Sequence, residues 1–146
     1  MFLVDTNVIS ALAPSKRVRS SHLVDWLDKA SPHLFLSVIT VAEVRSGIAK
    51  ADREGATTKA RSLKDWWASV EHLYAHKLLP FDLHCAHAAG QILDDARAHQ
   101  PGFEDIAIAA TARVRGLTVL TRNVRHFEPL GVRSLDPFVA LPRLAE

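Results

Sequence analysis

Short apolar runs alternate with segments of helical periodicity along the chain. The apolar runs are brief and predict buried strands, at 2–4, 34–38, 77–81 and 118–120, with a weaker candidate at 131–135. The stretches between them carry apolar residues at helical spacing, and helices are predicted over 22–30, 40–52, 58–76, 83–99 and 103–112, with short helical turns after residue 7 and before residue 128. Strands that alternate with helices predict an α/β fold, in which a central, mostly parallel sheet of four or five short strands has helices on both faces.

Two helix starts carry recognisable caps. Thr40 and Glu43 have the spacing of a capping box, in which the threonine accepts from an amide and the glutamate reaches back. This spacing predicts a helix that opens at Thr40. Asp82 precedes the next apolar stretch and is predicted to cap the helix after it.

The helix predicted over 58–76 has an unusually wide apolar stripe. Leu63, Trp67 and Val70 recur at helical spacing, and Trp66 widens the stripe. Most of these side chains are expected in the core. A partner surface is the minor alternative, because tryptophan is enriched at interfaces.

Composition narrows the class of protein. A chain of 146 residues is most simply one domain, here residues 1–146, and is long enough to bury a real core. Cys85 is the one cysteine, so an internal disulfide is excluded and a reducing, cytoplasmic compartment is expected. No leader segment and no apolar run of membrane-spanning length is recognisable.

The net charge of +2 by itself says little about a nucleic-acid partner, whereas the distribution of charge along the chain is more informative. The segment 106–133 contains Glu128 as its one acid and five arginines, at positions 113, 115, 122, 125 and 133. The connection 14–21 is also basic. Arginine suits phosphate recognition, although a solvated basic face has the same composition.

Three acids share one kind of position. Asp5 and Glu43 follow strands, and Asp105 lies in the first turn of a helix. Each has a structural explanation as a cap or as a partner of the helix dipole. A parallel sheet brings such positions to one edge, where gathered carboxylates need a hard cation such as Mg²⁺ or Mn²⁺. Acids and arginines at one edge indicate phosphodiester hydrolysis with a divalent metal.

Four segments now resemble a known family. LVDTNVIS at 3–10, SVITVAEVRSG at 37–47, FEDIAIAATA at 103–112 and LTRNVRHF at 120–127 occur in the order expected of PIN-domain ribonucleases, specifically the VapC-type toxins of type II toxin–antitoxin pairs. The resemblance covers most of the chain and fits its total length.

The resemblance implies a compact PIN-like domain that cleaves single-stranded RNA, often tRNA, with Mg²⁺ or Mn²⁺. Asp5 and Asp105 match the main metal ligands, and Glu43 matches a third acid that binds metal directly or through water. It also implies a VapB-like antitoxin as partner, a homodimer, and a higher-order complex with the antitoxin.

The neighbouring polar positions extend this match. Thr6 and Thr121 match residues that support the acids, and Asn123 lies beside them. Arg122 and Arg125 are the expected contacts to RNA phosphates.

The chain departs from the family pattern in its last segment. The family often carries a fourth acid just before the phenylalanine of that segment, and here that residue is His126. Asn123 occupies the other place where an acid occurs. A second metal would lose a ligand, so catalysis with one metal, or with a second ion that arrives only with the RNA phosphate, is favoured.

Other functions predict different residues. A haloacid dehalogenase-type phosphatase needs a second acid two residues after Asp5, where Asn7 stands, and a receiver domain needs paired acids before it. A non-catalytic RNA- or protein-binding module on the same fold is the remaining alternative. His126 and Asn123 favour it, whereas the presence of all three acids argues against it.

Overall fold

The computed structural model describes residues 1–14 and 21–144. The basic side chains predicted in the 14–21 connection, Lys16, Arg17 and Arg19, lie outside the described residues. Five strands are present: β1 (Phe2–Val4), β2 (Leu34–Ser37), β3 (Leu78–Leu79), β4 (Thr118–Leu120) and β5 (Ser134–Leu135). The helices are α1 (Thr6–Ile9), α2 (Ser21–Ala30), α3 (Val38–Arg53), α4 (Thr57–Leu73), α5 (Leu83–Asp95), α6 (Phe103–Arg115) and α7 (Val124–Phe127).

The five strands form one parallel sheet in the order β3-β2-β1-β4-β5. The chain moves outward from β1 through β2 to β3, then returns to the other side of β1 for β4 and β5. The strand order therefore reverses beside β1. In open parallel sheets, ligands bind beyond the carboxyl ends of the strands at such a reversal. The predicted α/β fold is confirmed.

Both faces of the sheet are buried, because the strand residues alternate between two apolar clusters. Val4, Leu36 and Leu120 pack with α1 to α4 on one face. Leu3 and Val119 pack with α5, α6 and α7 on the other. This three-layer arrangement follows from strands that are too apolar to leave either face in water.

The start of α3 differs from the prediction. Ser37 is extended, with φ −88° and ψ 147°, and its hydroxyl accepts a hydrogen bond from the amide of Ile39 at 3.0 Å. The helix therefore begins at Val38, and β2 ends at Ser37 rather than at Val38. Thr40 lies inside the helix and is fully buried. The predicted capping box at Thr40 and Glu43 is wrong, because Ser37 supplies the cap earlier.

Other boundaries are shorter than predicted. Asp82 caps α5 as expected, accepting from the amide of Cys85 at 3.0 Å. The α-helical part of α5 ends at Asp95, and a 3-10 turn at Arg97–His99 completes the predicted span. The strands β3 and β5 contain two residues each and lie at the sheet edges.

Within the described part of the chain, no helix is both long and apolar enough to cross a membrane. That residues 1–146 form a single domain stays a prediction.

Candidate active site

Asp5 is held where β1 ends and α1 begins. Its backbone amide donates to the carbonyl of Leu120 at 2.8 Å, which continues the pairing of β1 with β4. Its Oδ1 accepts from the amide of Thr6 at 2.8 Å, and its Oδ2 accepts from the hydroxyl of Thr121 at 2.8 Å. The side chain is both the helix cap and a buried carboxylate, because the residue is only 5% exposed.

Glu43 reaches the same edge from α3. Its Oε1 accepts from the hydroxyl of Thr6 at 2.8 Å. The same hydroxyl lies 3.1 Å from the hydroxyl of Thr40, one turn before Glu43 on the helix. Since Ser37 caps α3 and the helix begins at Val38, Glu43 lies beyond the first turn and is oriented by Thr6 across the sheet edge instead of by its own helix cap.

Asp105 lies in the first turn of α6 beside His126 of α7. Its Oδ2 is 3.5 Å from Nδ1 of His126, and the two side chains are 27% and 63% exposed. Asp105, Arg125 and His126 line a cavity of about 450 Å³. His126, at the place of the missing fourth acid, therefore does contact one of the three predicted acids.

The three carboxylates influence one another. Burial raises the pKa of Asp5 most, while its bonds to Thr121 and Thr6 lower it and the charge of Asp105 raises it. Burial also raises the pKa of Glu43, with a lowering contribution from Thr6 and raising contributions from Asp5, Glu104 and Asp105. We call Asp5, Glu43 and Asp105 the acidic site.

The pKa of the third carboxyl, that of Asp105, is raised as well. Burial raises the pKa of Asp105, His126 lowers it, and the neighbouring Glu104 raises it. All three pKa values therefore stand above their ordinary values for the same two reasons, desolvation and nearby negative charge. Clusters of this kind are typical of functional sites.

The comparison with protein families decides the identity. The PIN domain model matches residues 2–130, which include all of the acidic site. The chain belongs to the PIN-domain family.

Named relatives of this PIN domain share nearly its whole length. Plasmid stability protein StbB of Pseudomonas syringae is 38% identical over 96% of the chain and 100% of its own length. Toxin FitB of Neisseria gonorrhoeae is 35% identical over 94% of the chain and 99% of its own. VapC ribonuclease Y4jK of Sinorhizobium fredii is 33% identical over 94% and 98%. The resemblance to VapC-type PIN proteins is confirmed.

Solved structures agree with the fold. FitAcB from Neisseria gonorrhoeae matches with a TM-score of 0.79 at 35% identity, covering 94% of this chain and 99% of that one. DNA-bound VapBC from Salmonella typhimurium matches with a TM-score of 0.70 at 30% identity, covering 92% and 96%. The predicted sheet flanked by helices is therefore the PIN fold.

The acidic site fits a divalent cation by donor chemistry. Among the residues that the structure describes, no group of three or more His, Cys, Asp or Glu side chains is arranged to hold a metal ion. Magnesium is commonly held by one or two carboxylates, with water and substrate phosphates completing its shell. Asp5 and Asp105 offer hard oxygen donors, and burial raises the pKa of both, so a cation beside them would stabilise their ionised forms. That Asp5, Asp105 and Glu43 are metal ligands stays a prediction.

Only part of the basic segment 106–133 lies beside the acids. Arg122 and Arg125 follow β4 and lie at the same edge as Asp5. Arg133 precedes β5 and lines a cavity with Met1 at the amino ends of the strands, opposite the ends that carry the acids. Arg113, at the far end of α6, donates to the carbonyl of Leu130 at 3.3 Å. The expectation of one basic segment beside the acids is wrong, because α6 and β4 carry its parts to different edges.

Two supporting residues were missed from the sequence. Asn7 donates from Nδ2 to the hydroxyl of Thr121 at 3.4 Å and accepts at Oδ1 from the amide of Arg122 at 3.1 Å. Thr40 packs its hydroxyl against that of Thr6. Of the predicted supports, Thr6 and Thr121 bind acids directly, whereas Asn123 contacts Thr121 through its backbone amide at 3.0 Å.

Proposed function

We propose that this PIN domain is a divalent-metal-dependent endoribonuclease that hydrolyses phosphodiester bonds of single-stranded RNA, tRNA or another structured RNA, as the toxin of a toxin–antitoxin pair. The observation that carries the proposal is the acidic site itself. Three carboxylates from separate parts of the chain, each with a pKa raised by burial and by a neighbouring acid, lie at the edge where a parallel sheet binds ligands. The relatives named VapC ribonuclease and Toxin FitB support it.

Asp5 and Asp105 would hold the Mg²⁺ or Mn²⁺. When bound, the cation neutralises negative charge at the phosphate and lowers the pKa of water toward neutrality. Thr121 and the Thr6 amide fix both oxygens of Asp5, so this carboxylate keeps one orientation. The chain thereby presents a preorganised ligand rather than a mobile one.

Glu43 is suited to orient the attacking water. Thr6 anchors one oxygen of Glu43. Because the pKa of Glu43 is raised, this carboxylate takes up a proton more readily than a fully solvated one. Arg122 and Arg125 supply positive charge for the RNA phosphates at the same edge.

The test is cleavage of a panel of end-labelled single-stranded RNAs that includes tRNA. The wild type, Asp5→Asn and Asp65→Asn are compared with Mg²⁺, Mn²⁺ or EDTA. Asp65 is an exposed acid on α4 and serves as the matched control. We expect cleavage by the wild type and Asp65→Asn with either metal, and none by Asp5→Asn or in EDTA.

A non-catalytic binding module is the second candidate. His126 favours it, since it stands where the family often has a fourth acid. Absence of cutting on every RNA, together with no Mn²⁺ binding by calorimetry, would support this candidate. Cleavage that persists in EDTA would contradict the metal dependence.

We also propose an antitoxin as protein partner. Trp67 is fully buried, whereas Trp66 is half-buried and lines a groove of about 230 Å³ with Glu43, Gly47 and Lys59. We call this the Trp66 groove. An antitoxin segment with an apolar residue against Trp66 and a basic residue against Glu43 fits it.

The assembly is proposed as a homodimer, with higher-order complexes when the antitoxin is bound. Light scattering of the isolated chain is expected to give about twice the chain mass of 16.1 kDa. A monomer at micromolar concentration would contradict the dimer and leave the nuclease proposal intact.

A further inference from the structure

A second cavity adjoins the acidic site on the side of β5. It has a volume of about 580 Å³, within the range of roughly 300–1,000 Å³ typical of small-molecule sites. One wall is the chain from Arg122 to His126, and the other runs from Ser134 to Ala140. We call it the β5 cavity. Arg125 and His126 also line the cavity that contains Asp105, so the two spaces share a wall.

Arg122 lines this cavity and is fixed at both its backbone and its side chain. Its backbone amide donates to Asn7, which belongs to the hydrogen-bond network of Asp5. Its guanidinium carbon lies 3.8 Å from the centre of the Phe138 ring, a cation–π contact. Phe138 is half-buried against the core, and its amide donates to Oδ1 of Asp136 at 2.9 Å. An arginine held in this way loses less freedom on binding an anion.

The charge and polarity of the walls suit a nucleotide. Arg122 and Arg125 outnumber the single acid, Asp136, whose Oδ1 already accepts a backbone hydrogen bond. Leu135 and Val139 are large apolar side chains that remain 44% and 83% exposed on the opposite wall. A ribonucleotide combines an anionic phosphate with a flat base, and proteins contact the phosphate with basic side chains and the faces of the base with aromatic or apolar ones.

The outer wall comes from a part of the chain that the family model does not cover. The PIN domain match ends at residue 130, whereas the wall spans 134–140. The acids that cut are therefore within the matched segment, and this wall is an addition to it. Such an addition is a suitable place for substrate selection, because surface segments vary without disturbing the core.

We propose that the β5 cavity is a nucleotide subsite, which binds the ribonucleotide adjoining the cleaved phosphodiester bond and selects the RNA. Arg122 contacts the phosphate of that nucleotide, and Leu135 and Val139 contact its base. The proposal rests on the proposed ribonuclease function, since the acidic site supplies the neighbouring cut. A peptide of the antitoxin is the competing occupant, but the arginines and the shared wall with Asp105 favour RNA.

The first test is binding without cleavage. AMP, CMP, GMP and UMP are titrated separately into ¹⁵N-labelled Asp5→Asn protein, and amide shifts are followed by NMR. We expect shifts at 122–126 and 134–140, with a preference for one base. Adding Val139→Asp, at an 83% exposed position that leaves folding intact, is expected to weaken binding about fivefold or more. Adding Arg133→Gln, at the amino ends of the strands, is the matched control and is expected to leave nucleotide affinity unchanged.

The second test separates this proposal from the nuclease proposal. In the otherwise wild-type chain, Val139→Asp is expected to raise KM for RNA about fivefold or more with little change in kcat. Active wild type with an unchanged KM in Val139→Asp would overturn the subsite and leave the ribonuclease in place. Nucleotide shifts confined to the acidic site, or weaker antitoxin binding with unchanged RNA kinetics, would also overturn it. Specific nucleotide binding by a chain that cuts no RNA would contradict the nuclease and, with it, a subsite beside a cleaved bond.

Discussion

Two of the three acids of this PIN domain depend on a hydroxyl for their orientation, whereas Asp105 lies beside His126. Thr121 binds Asp5 and Thr6 binds Glu43, both at 2.8 Å. The acids could be predicted from the sequence because each has a recognisable place after a strand or in the first turn of a helix. Asn7 and Thr40 could not be predicted as part of the network, since their partners are distant in the sequence and depend on the strand order.

Thr121→Val tests whether this hydroxyl orients Asp5. The change leaves Oδ2 of Asp5 and the Asn123 amide without their partner, and we expect a loss of about 1–3 kcal/mol in unfolding free energy. RNA cleavage is expected to fall at least about tenfold, and Thr121→Ser is expected to restore most of it. The measurements are urea unfolding and single-turnover cleavage.

Thr111→Val is the matched control for Thr121→Val. Thr111 is equally buried, but its hydroxyl donates within its own helix, to the carbonyl of Ala107 at 2.8 Å, and not to an acid among the described residues. Its replacement is expected to leave cleavage unchanged. Equal activity losses in the two valine variants would show that a buried hydroxyl supports the fold and not the acid.

Asp5→Asn is expected to stabilise the metal-free protein at neutral pH. The pKa of Asp5 is raised in the folded state, so the folded chain holds a proton more tightly than the unfolded chain. Stability therefore falls as pH rises from the ordinary carboxyl pKa through the raised value. In EDTA at pH 7 we expect the free energy of unfolding of Asp5→Asn to exceed that of the wild type by on the order of 1 kcal/mol. The difference should be smaller near pH 4.

Thermal unfolding across this pH range measures the effect, and the exposed change Asp65→Asn is the control. Mg²⁺ should narrow the gap at pH 7, because a cation that binds the folded wild type stabilises it. A gap that widens on acidification would contradict the raised pKa of Asp5.

At the scale of single elements, helical and strand periodicity predicted most of the structure. The spans of α2, α4 and β4 follow from local apolar spacing, since each buries one face or both. The start of α3 was not predictable in the same way. Ser37 and Thr40 are both good caps, and the choice depends on how β2 ends and on Thr6 at the neighbouring strand.

Ser37→Ala tests which residue caps α3. Since the Ser37 hydroxyl accepts from the Ile39 amide, its loss is expected to cost about 1 kcal/mol of unfolding free energy. Ser69→Ala, at an exposed position within α4, is the control and is expected to be neutral within about 0.5 kcal/mol. A neutral Ser37→Ala in urea unfolding would restore the capping box at Thr40.

At the scale of the whole molecule, the strand order creates the acidic site. The reversal beside β1 places β4 next to β1, so that Thr121 meets Asp5 across 116 positions of sequence. A parallel sheet was predictable, and with it a common edge for the acids. The order β3-β2-β1-β4-β5 was not, nor was the wall formed by Leu135 and Val139, because β5 is too short to show a period.

The same architecture leaves the Trp66 groove between α1, α3 and α4, on the other side of the acids from the β5 cavity. Gly47 of α3 lines this groove, and a Cβ placed there would meet no atom within 4 Å. Leucine is a better helix former than glycine by roughly 0.5–1 kcal/mol. The Cβ of a leucine at this position therefore meets no clash, and we expect the rest of the side chain to enter the groove.

Gly47→Leu is expected to keep or raise the melting temperature, to retain RNA cleavage, and to weaken binding of the cognate antitoxin about tenfold or more, because the groove is filled. Gly90→Leu on α5 is the matched control, since its Cβ also meets no atom within 4 Å but lies away from the groove. Calorimetry and inhibition of cleavage measure the difference. Equal antitoxin affinity in the two leucine variants would exclude the Trp66 groove as the docking surface, whereas a loss confined to Gly47→Leu would separate the surface that inhibits from the one that selects RNA.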